Sequence, residues 1–144
     1  MFTEAHYEAV LKFFYFMLLD EGLALTAALD AVKRIQKTLK KERTANIELV
    51  MIQTMNSVLN SYRRSRKNYV LSTPARSQFK ISNLDHLVQW KEFMKKGDDD
   101  LAVAVVLRYI LGYKPELMSE GLQVPMGTVF YRIRHALETI AAVA

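Results

Sequence analysis

The stretch from Gly112 to Ile140 reads G-Y-K-P-E-L-M-S-E-G-L-Q-V-P-M-G-T-V-F-Y-R-I-R-H-A-L-E-T-I, the pattern of two helices with a break between them. Pro115 is tolerated in a first helical turn, so a short helix is expected from Lys114 to Glu120, with Gly121 as the flexible position at which it stops. After Leu122 to Val124, Pro125 stands where the first residue of a second helix belongs, its fixed φ already suited to the turn. With residues 100° apart, Met126, Val129, Ile133, Ala136, Leu137 and Ile140 share one apolar arc of roughly 100°. Thr128, Tyr131, Arg134, His135 and Glu138 fall on the other side. A short helix, a tight turn and a longer helix with an apolar back and a donor-rich front form a helix-turn-helix, whose second helix suits the major groove of DNA.

The remainder of the 144 residues points to an all-α chain. Five glycines and three prolines are few, and apolar residues, 51% of the total, recur at helical spacing. A first helix is expected from Thr3 to Leu19, apolar on most sides and closed by Gly22. A second starts near Thr26 and sets Leu25, Leu29, Val32, Ile35 and Leu39 on one stripe. A third, from Ile47 to Arg66, buries Ile47, Val50, Met51, Met55, Val58, Leu59 and Tyr62. It lines up Gln53, Asn56, Asn60, Arg63 and Lys67 at i, i+3, i+7, i+10 and i+14, where amide and guanidinium groups can meet bases and phosphates together, or form an ordinary polar face. From Asn68 to Ser82 the period lapses around Pro74, as a linker would. A further helix from Asn83 or Asp85 to Lys95 buries Leu84, Leu87, Val88, Trp90 and Phe93. Asp98 to Asp100 start the next, and Leu101 to Leu111, almost wholly apolar, is the central helix of a second domain.

Chemistry of other kinds finds no pattern. Cysteine is absent, so neither a disulfide framework nor a thiolate metal site is expected, and His6, His86 and His135 have no metal-ligand spacing. No phosphate loop or nucleophile elbow occurs; the expectation is a non-enzyme with no cofactor and no metal. The apolar run Phe13 to Leu19 is far short of the ~20 residues of a membrane span. Without a basic leader, a cytoplasmic location is expected. The net charge of +5 suits a polyanionic partner, and six of the eleven residues from Lys33 to Arg43 are basic, a cluster that fits such a partner or an ordinary solvated helix face.

V-P-M-G-T-V-F-Y-R-I-R-H-A-L-E-T-I, preceded by V-L-R-Y-I-L-G-Y, resembles the C-terminal promoter-binding domain of bacterial RNA polymerase sigma factors, most closely the extracytoplasmic-function group. Arg132 and Ala136 match the family's spacing within the recognition helix. Phe130 and Tyr131 stand where the family usually carries Lys or Arg and then Ser; Phe130, at the edge of the apolar arc, is expected to pack, and Tyr131 to face outward. M-N-S-V-L-N-S-Y-R-R-S-R-K resembles the end of the family's promoter-melting domain. There Asn56, Arg63 and Arg64 match, and Asn60 replaces the usual Asp. A-L-D-A-V-K-R-I aligns with the polymerase-binding helix, with Asp30 in place and Lys33 where the family has Gln.

The resemblance implies an all-α protein of two small helical domains, 1–67 and 83–144, joined by the linker 68–82, the second a four-helix domain with a helix-turn-helix. Its expected partners are promoter DNA, RNA polymerase core and an anti-sigma protein, with no insertion in a membrane. DNA contacts are expected from Thr128, Tyr131, Arg132, Arg134 and His135, and from Asn56, Asn60, Arg63, Arg64 and Lys67. Polymerase contacts are expected from Asp30 and Lys33. Two other readings compete: a sigma-like regulator that binds DNA without polymerase, and a helical protein-interaction module.

Overall fold

The computed structural model describes residues 2–72 and 84–142, the side chains at 64–72 and 84–87 excepted. Packing divides the chain into two compact units, Met1–Phe79 and Lys80–Ala144. Among the described residues every regular element is a helix, and no helix is long and apolar enough to cross a membrane.

The first unit holds α1 (Glu4–Leu18), α2 (Glu21–Lys41) and α3 (Ile47–Ser72), each packed on the other two. Thr3 caps α1, its N–H donating to Nδ1 of His6 at 3.0 Å. Val10, Phe13, Phe14, Met17 and Leu18 are buried, and the Phe13 and Phe14 rings meet edge to face at 5.0 Å. Opposite these large side chains α2 presents Ala24, Ala27, Ala28 and Ala31, all buried, together with Val32 and Ile35. The core is filled from the other side by Val50, Met51, Ile52, Met55, Val58 and Leu59 of α3. Large residues on two helices require small ones on the third if the interior is to reach ordinary packing density.

That requirement overturns part of the expected stripe of α2. Leu25 and Leu29 are 47% and 45% exposed, because the alanine face one residue away is the one that fits between α1 and α3. The start of α2 is corrected too. Leu19 takes the left-handed conformation (φ 53°) and Asp20 accepts a hydrogen bond from the Leu23 N–H at 2.9 Å, so the helix begins at Glu21, well before Thr26. Gly22 lies inside its first turn and does not close α1. At the other end of the unit α3 continues through the first five positions of the expected linker to Ser72. Nothing between Arg66 and Ser72 breaks a helix; the first breaker in the sequence is Pro74. The rest of that linker, 73–82, lies outside the described residues.

The second unit contains α4 (Leu84–Lys95), α5 (Asp99–Val105), α6 (Pro115–Leu122) and α7 (Met126–Ala142). Phe93 and Met94 of α4 are buried, and Trp90 packs on Phe93 with ring centroids 5.3 Å apart. Val88, expected inside, is 56% exposed. Leu84 and Leu87 fall on side chains outside the described residues. Gly97 ends this segment at φ 82°, a value that glycine reaches without strain. Asp98 then caps α5 by accepting from the Leu101 N–H at 3.4 Å.

Every residue from Leu101 to Leu107 is buried, which makes this the central segment of its unit. Its regular winding stops at Val105. From Val106 to Ile110 the helix widens to a π turn, closed by the Leu111 N–H on the Val106 carbonyl at 2.9 Å. The turn brings Arg108, Tyr109 and Ile110 to the outer side, where the last two are 54% and 39% exposed. Both α5 and α6 pack against α7.

Candidate nucleic-acid interface

The segment from Pro115 to Ala142 is built from an ordinary helix start and an unusual helix stop. Pro115 occupies the first turn of α6 after Lys114. The stop was expected at Gly121, but Gly121 is buried inside the helix. Gln123 instead takes the left-handed conformation (φ 58°, ψ 46°). Its N–H donates to the Glu120 carbonyl at 3.3 Å, the Val124 N–H donates to the Ser119 carbonyl at 3.1 Å, and the Ser119 hydroxyl donates to the Val124 carbonyl. These bonds form a Schellman closure whose left-handed position is filled by a residue other than glycine. The Pro125 carbonyl accepts from the N–H groups of Thr128 and Val129, at 3.0 and 3.2 Å, so Pro125 precedes α7, which begins at Met126, one position after the expected start.

Helix α7 turns Val129, Ile133 and Ala136 inward, with Met126 and Ile140 half-buried. Leu137 of the expected arc and Phe130, expected to pack at its edge, are corrected. Phe130 is 53% exposed and Leu137 43% exposed. They lie seven residues apart on one face, whereas the buried residues of α7, on which α4, α5 and α6 pack, are Val129, Ile133 and Ala136. The arc facing α5 and α6 is therefore narrower than the apolar arc in the sequence.

The outer face gathers four of the five expected residues. Tyr131 is 54% exposed, Arg134 and His135 are exposed, and Thr128 is half-buried in the first turn. The rings of Tyr131 and His135 stack with centroids 5.5 Å apart and 11° between their planes. A turn of helix puts i and i+4 in register, so this pairing was available from spacing alone. The stack makes a flat platform with a hydroxyl and an imidazole on it, and Arg134 is exposed on the same helix.

Arg132 behaves differently. Its side chain is 21% exposed and its Nη2 lies 3.9 Å from Oδ2 of Asp100, in the first turn of α5. It therefore links α7 to the start of α5, and an attraction between partly exposed charges at this distance is worth well under ~1 kcal/mol.

In the first unit Asn56 and Arg63 are half-buried and Asn60 is exposed, all on one arc of α3. Arg64 and Lys67 fall on side chains outside the described residues. On α2, Asp30 accepts from Nε of Arg34 at 3.2 Å, whereas Lys33 is exposed. The expected polymerase-facing pair thus consists of a carboxylate already held by a neighbour one turn away and a solvated ammonium. One feature escaped the sequence reading altogether: an open groove at the end of α2, lined by Leu39, Lys40, Arg43, Ala45 and Ile47 among others. The run of basic residues was visible, but not the apolar wall beside it, which comes from separate segments.

Compared with protein-family models and with curated proteins, the chain matches none.

Proposed function

We propose that the chain is a sigma-factor-like transcription initiation factor, which binds RNA polymerase core and reads promoter DNA with a helix-turn-helix formed by α6 and α7. The observation that carries this reading is the outward face of α7, where Tyr131, Arg134 and His135 stand together beyond a three-residue turn. Arg134 has the length and charge for a phosphate or a guanine edge, and Tyr131 offers a ring to a thymine methyl and a hydroxyl to a phosphate. Asn60, with Asn56 and Arg63 partly accessible beside it on α3, supports a second contact with a promoter element. Asp30 and Lys33 on α2 are the residues assigned to polymerase. In this reading Arg132 orients the recognition helix through Asp100 rather than touching DNA.

The test is pull-down of core polymerase followed by run-off transcription with the purified chain. Binding of core together with initiation from a defined start supports the proposal; a chain that does neither is no sigma factor. Gel shifts without polymerase separate the related reading, a sigma-like regulator that occupies DNA alone. Replacing Arg134 by Ala should weaken promoter binding and reduce the slope of log affinity against log salt by about 1, as the loss of one phosphate contact requires.

A second reading is favoured by one observation, the exposure of Phe130 and Leu137 on the same helix. If α7 docks on a protein, the variant Phe130→Ser should abolish that association, and Arg134→Ala should leave it unchanged.

A further inference from the structure

The end of α2 and the start of α3 enclose an open groove of about 850 Å³, within the range of sites that hold small ligands or a few side chains of a peptide. Phe2, Leu39, Ala45 and Ile47 are half-buried and form its apolar floor, whereas Lys40 and Arg43 are exposed at its edge. Among the described residues neither Lys40 nor Arg43 enters an ion pair. The surrounding field is strongly positive, since Lys33 to Arg43 contains six basic residues and Glu42 as the single acid. Glu48, the acid that follows on α3, is turned to His6, with Oε1 4.0 Å from the imidazole Nε2.

We propose that this groove is a docking site for an acidic amphipathic peptide segment of a partner protein. The apolar side chains of such a segment would lie on Phe2, Leu39, Ala45 and Ile47, and its carboxylates would meet Lys40 and Arg43. Charge complementarity selects the partner's sign, and the floor selects its class. A nucleic-acid strand has the negative charge but draws its specific affinity from stacking platforms and hydrogen-bonding edges, and here the floor is mostly aliphatic. The carboxamide of Gln36, on the groove wall, is available to a peptide backbone. Binding of this kind depends on both halves of the surface: cations raise the rate of encounter and choose the partner, while burial of the apolar side chains holds it. The site goes beyond the promoter reading and does not rest on it, since none of its residues belongs to α7 or to the amide and guanidinium face of α3.

The probe is a fluorescein-labelled synthetic peptide with Leu and Phe at i, i+3, i+4 and i+7 and Asp or Glu elsewhere, titrated with the full chain by fluorescence anisotropy. Three control probes accompany it: the peptide with its Leu and Phe replaced by Ser, the peptide with its acids replaced by their amides, and single-stranded oligothymidylate. The expected result is saturable binding that weakens at least tenfold in K40E/R43E, and at least tenfold when either half of the peptide's character is removed. Both substituted side chains are solvent-exposed, so the helical circular dichroism of K40E/R43E should match the wild type; the peptide variants test the idea without altering the protein. The proposal is overturned if the peptide fails to bind, or if its binding survives charge reversal. It is overturned equally if the Ser variant binds as well as the parent, or if oligothymidylate displaces the peptide and alone responds to K40E/R43E.

Discussion

Two corners of the chain, one between α1 and α2 and one between α6 and α7, are built alike at the first residue and differently after it. Each leaves its helix through a left-handed residue that is not glycine, Leu19 in one and Gln123 in the other. At the first corner the Leu19 N–H closes on the Tyr15 carbonyl at 3.0 Å, and Asp20 immediately caps the next helix. At the second, a paired closure on Ser119 and Glu120 is followed by Val124 and Pro125 before α7 begins. A two-residue corner holds α2 tightly beside α1, and the alanines of α2 are buried there. A longer corner leaves the outer face of α7 free of its own unit, the property a reading or docking helix needs. In both places a nearby glycine, Gly22 or Gly121, sits inside a helix while the strained position belongs to a larger residue.

The comparison breaks most easily at the alanine face. Ala28→Leu should cost about 3 kcal/mol by overpacking the space under the first corner, whereas Leu29→Ala, one residue away, should change stability by less than ~0.5 kcal/mol. Urea unfolding followed by far-ultraviolet circular dichroism measures both, and equal effects would mean that α2 faces the core differently. Next in size is the cap: Asp20→Ala removes the acceptor for the Leu23 N–H and should destabilise by about 1 kcal/mol in the same assay.

Smaller effects sharpen the contrast. Gln123→Gly should stabilise by roughly 0.5–1 kcal/mol by relieving left-handed strain, visible in unfolding monitored by Trp90, the chain's single tryptophan, which lies in the second unit. Leu19→Gly should gain less, since half-buried Leu19 gives up packing as it gives up strain; a larger gain there would show that its side chain contributes nothing.

The smallest effect is a dependence on pH confined to the first corner. Burial, and then the charge of Glu21, push the Tyr15 hydroxyl above its ordinary value of 10.0. The folded state holds that proton more tightly than the unfolded chain does. Its contribution is therefore complete below about pH 10 and is lost as pH rises through the folded value. Comparing melts at pH 8 and pH 11 should show a loss in the wild type that is reduced in Tyr15→Phe, and the Trp90 signal of the second unit should not register that difference.

Helical class was legible because apolar residues recur at the helical period through Val10, Phe14 and Met17, through Met51, Met55 and Val58, and through Val129, Ile133 and Ala136. The face of α7 carrying Tyr131, Arg134 and His135 was legible by the same geometry. Phe130 was misplaced because hydrophobicity says that a side chain can be buried, and a helix has room for only as many buried residues as its neighbours cover. Leu25, Leu29, Val88 and Leu137 were misplaced for the same reason.

Sequence by itself determined that this chain is helical, which residues share each helical face, and where the caps Thr3 and Asp98 and the first-turn Pro115 could begin a helix, because these depend on local spacing and local hydrogen bonds. Tertiary structure decided which of two adjacent apolar stripes on α2 is covered, that Leu19 and Gln123 bear the left-handed positions, that Arg132 turns to Asp100, and that Lys40 and Arg43 edge a groove floored by Phe2 and Ile47. The covered stripe, the Arg132 pairing and the groove depend on volume and charge supplied by residues distant in the chain, which no local pattern carries; the left-handed positions are closed by local hydrogen bonds that several nearby residues could equally have hosted.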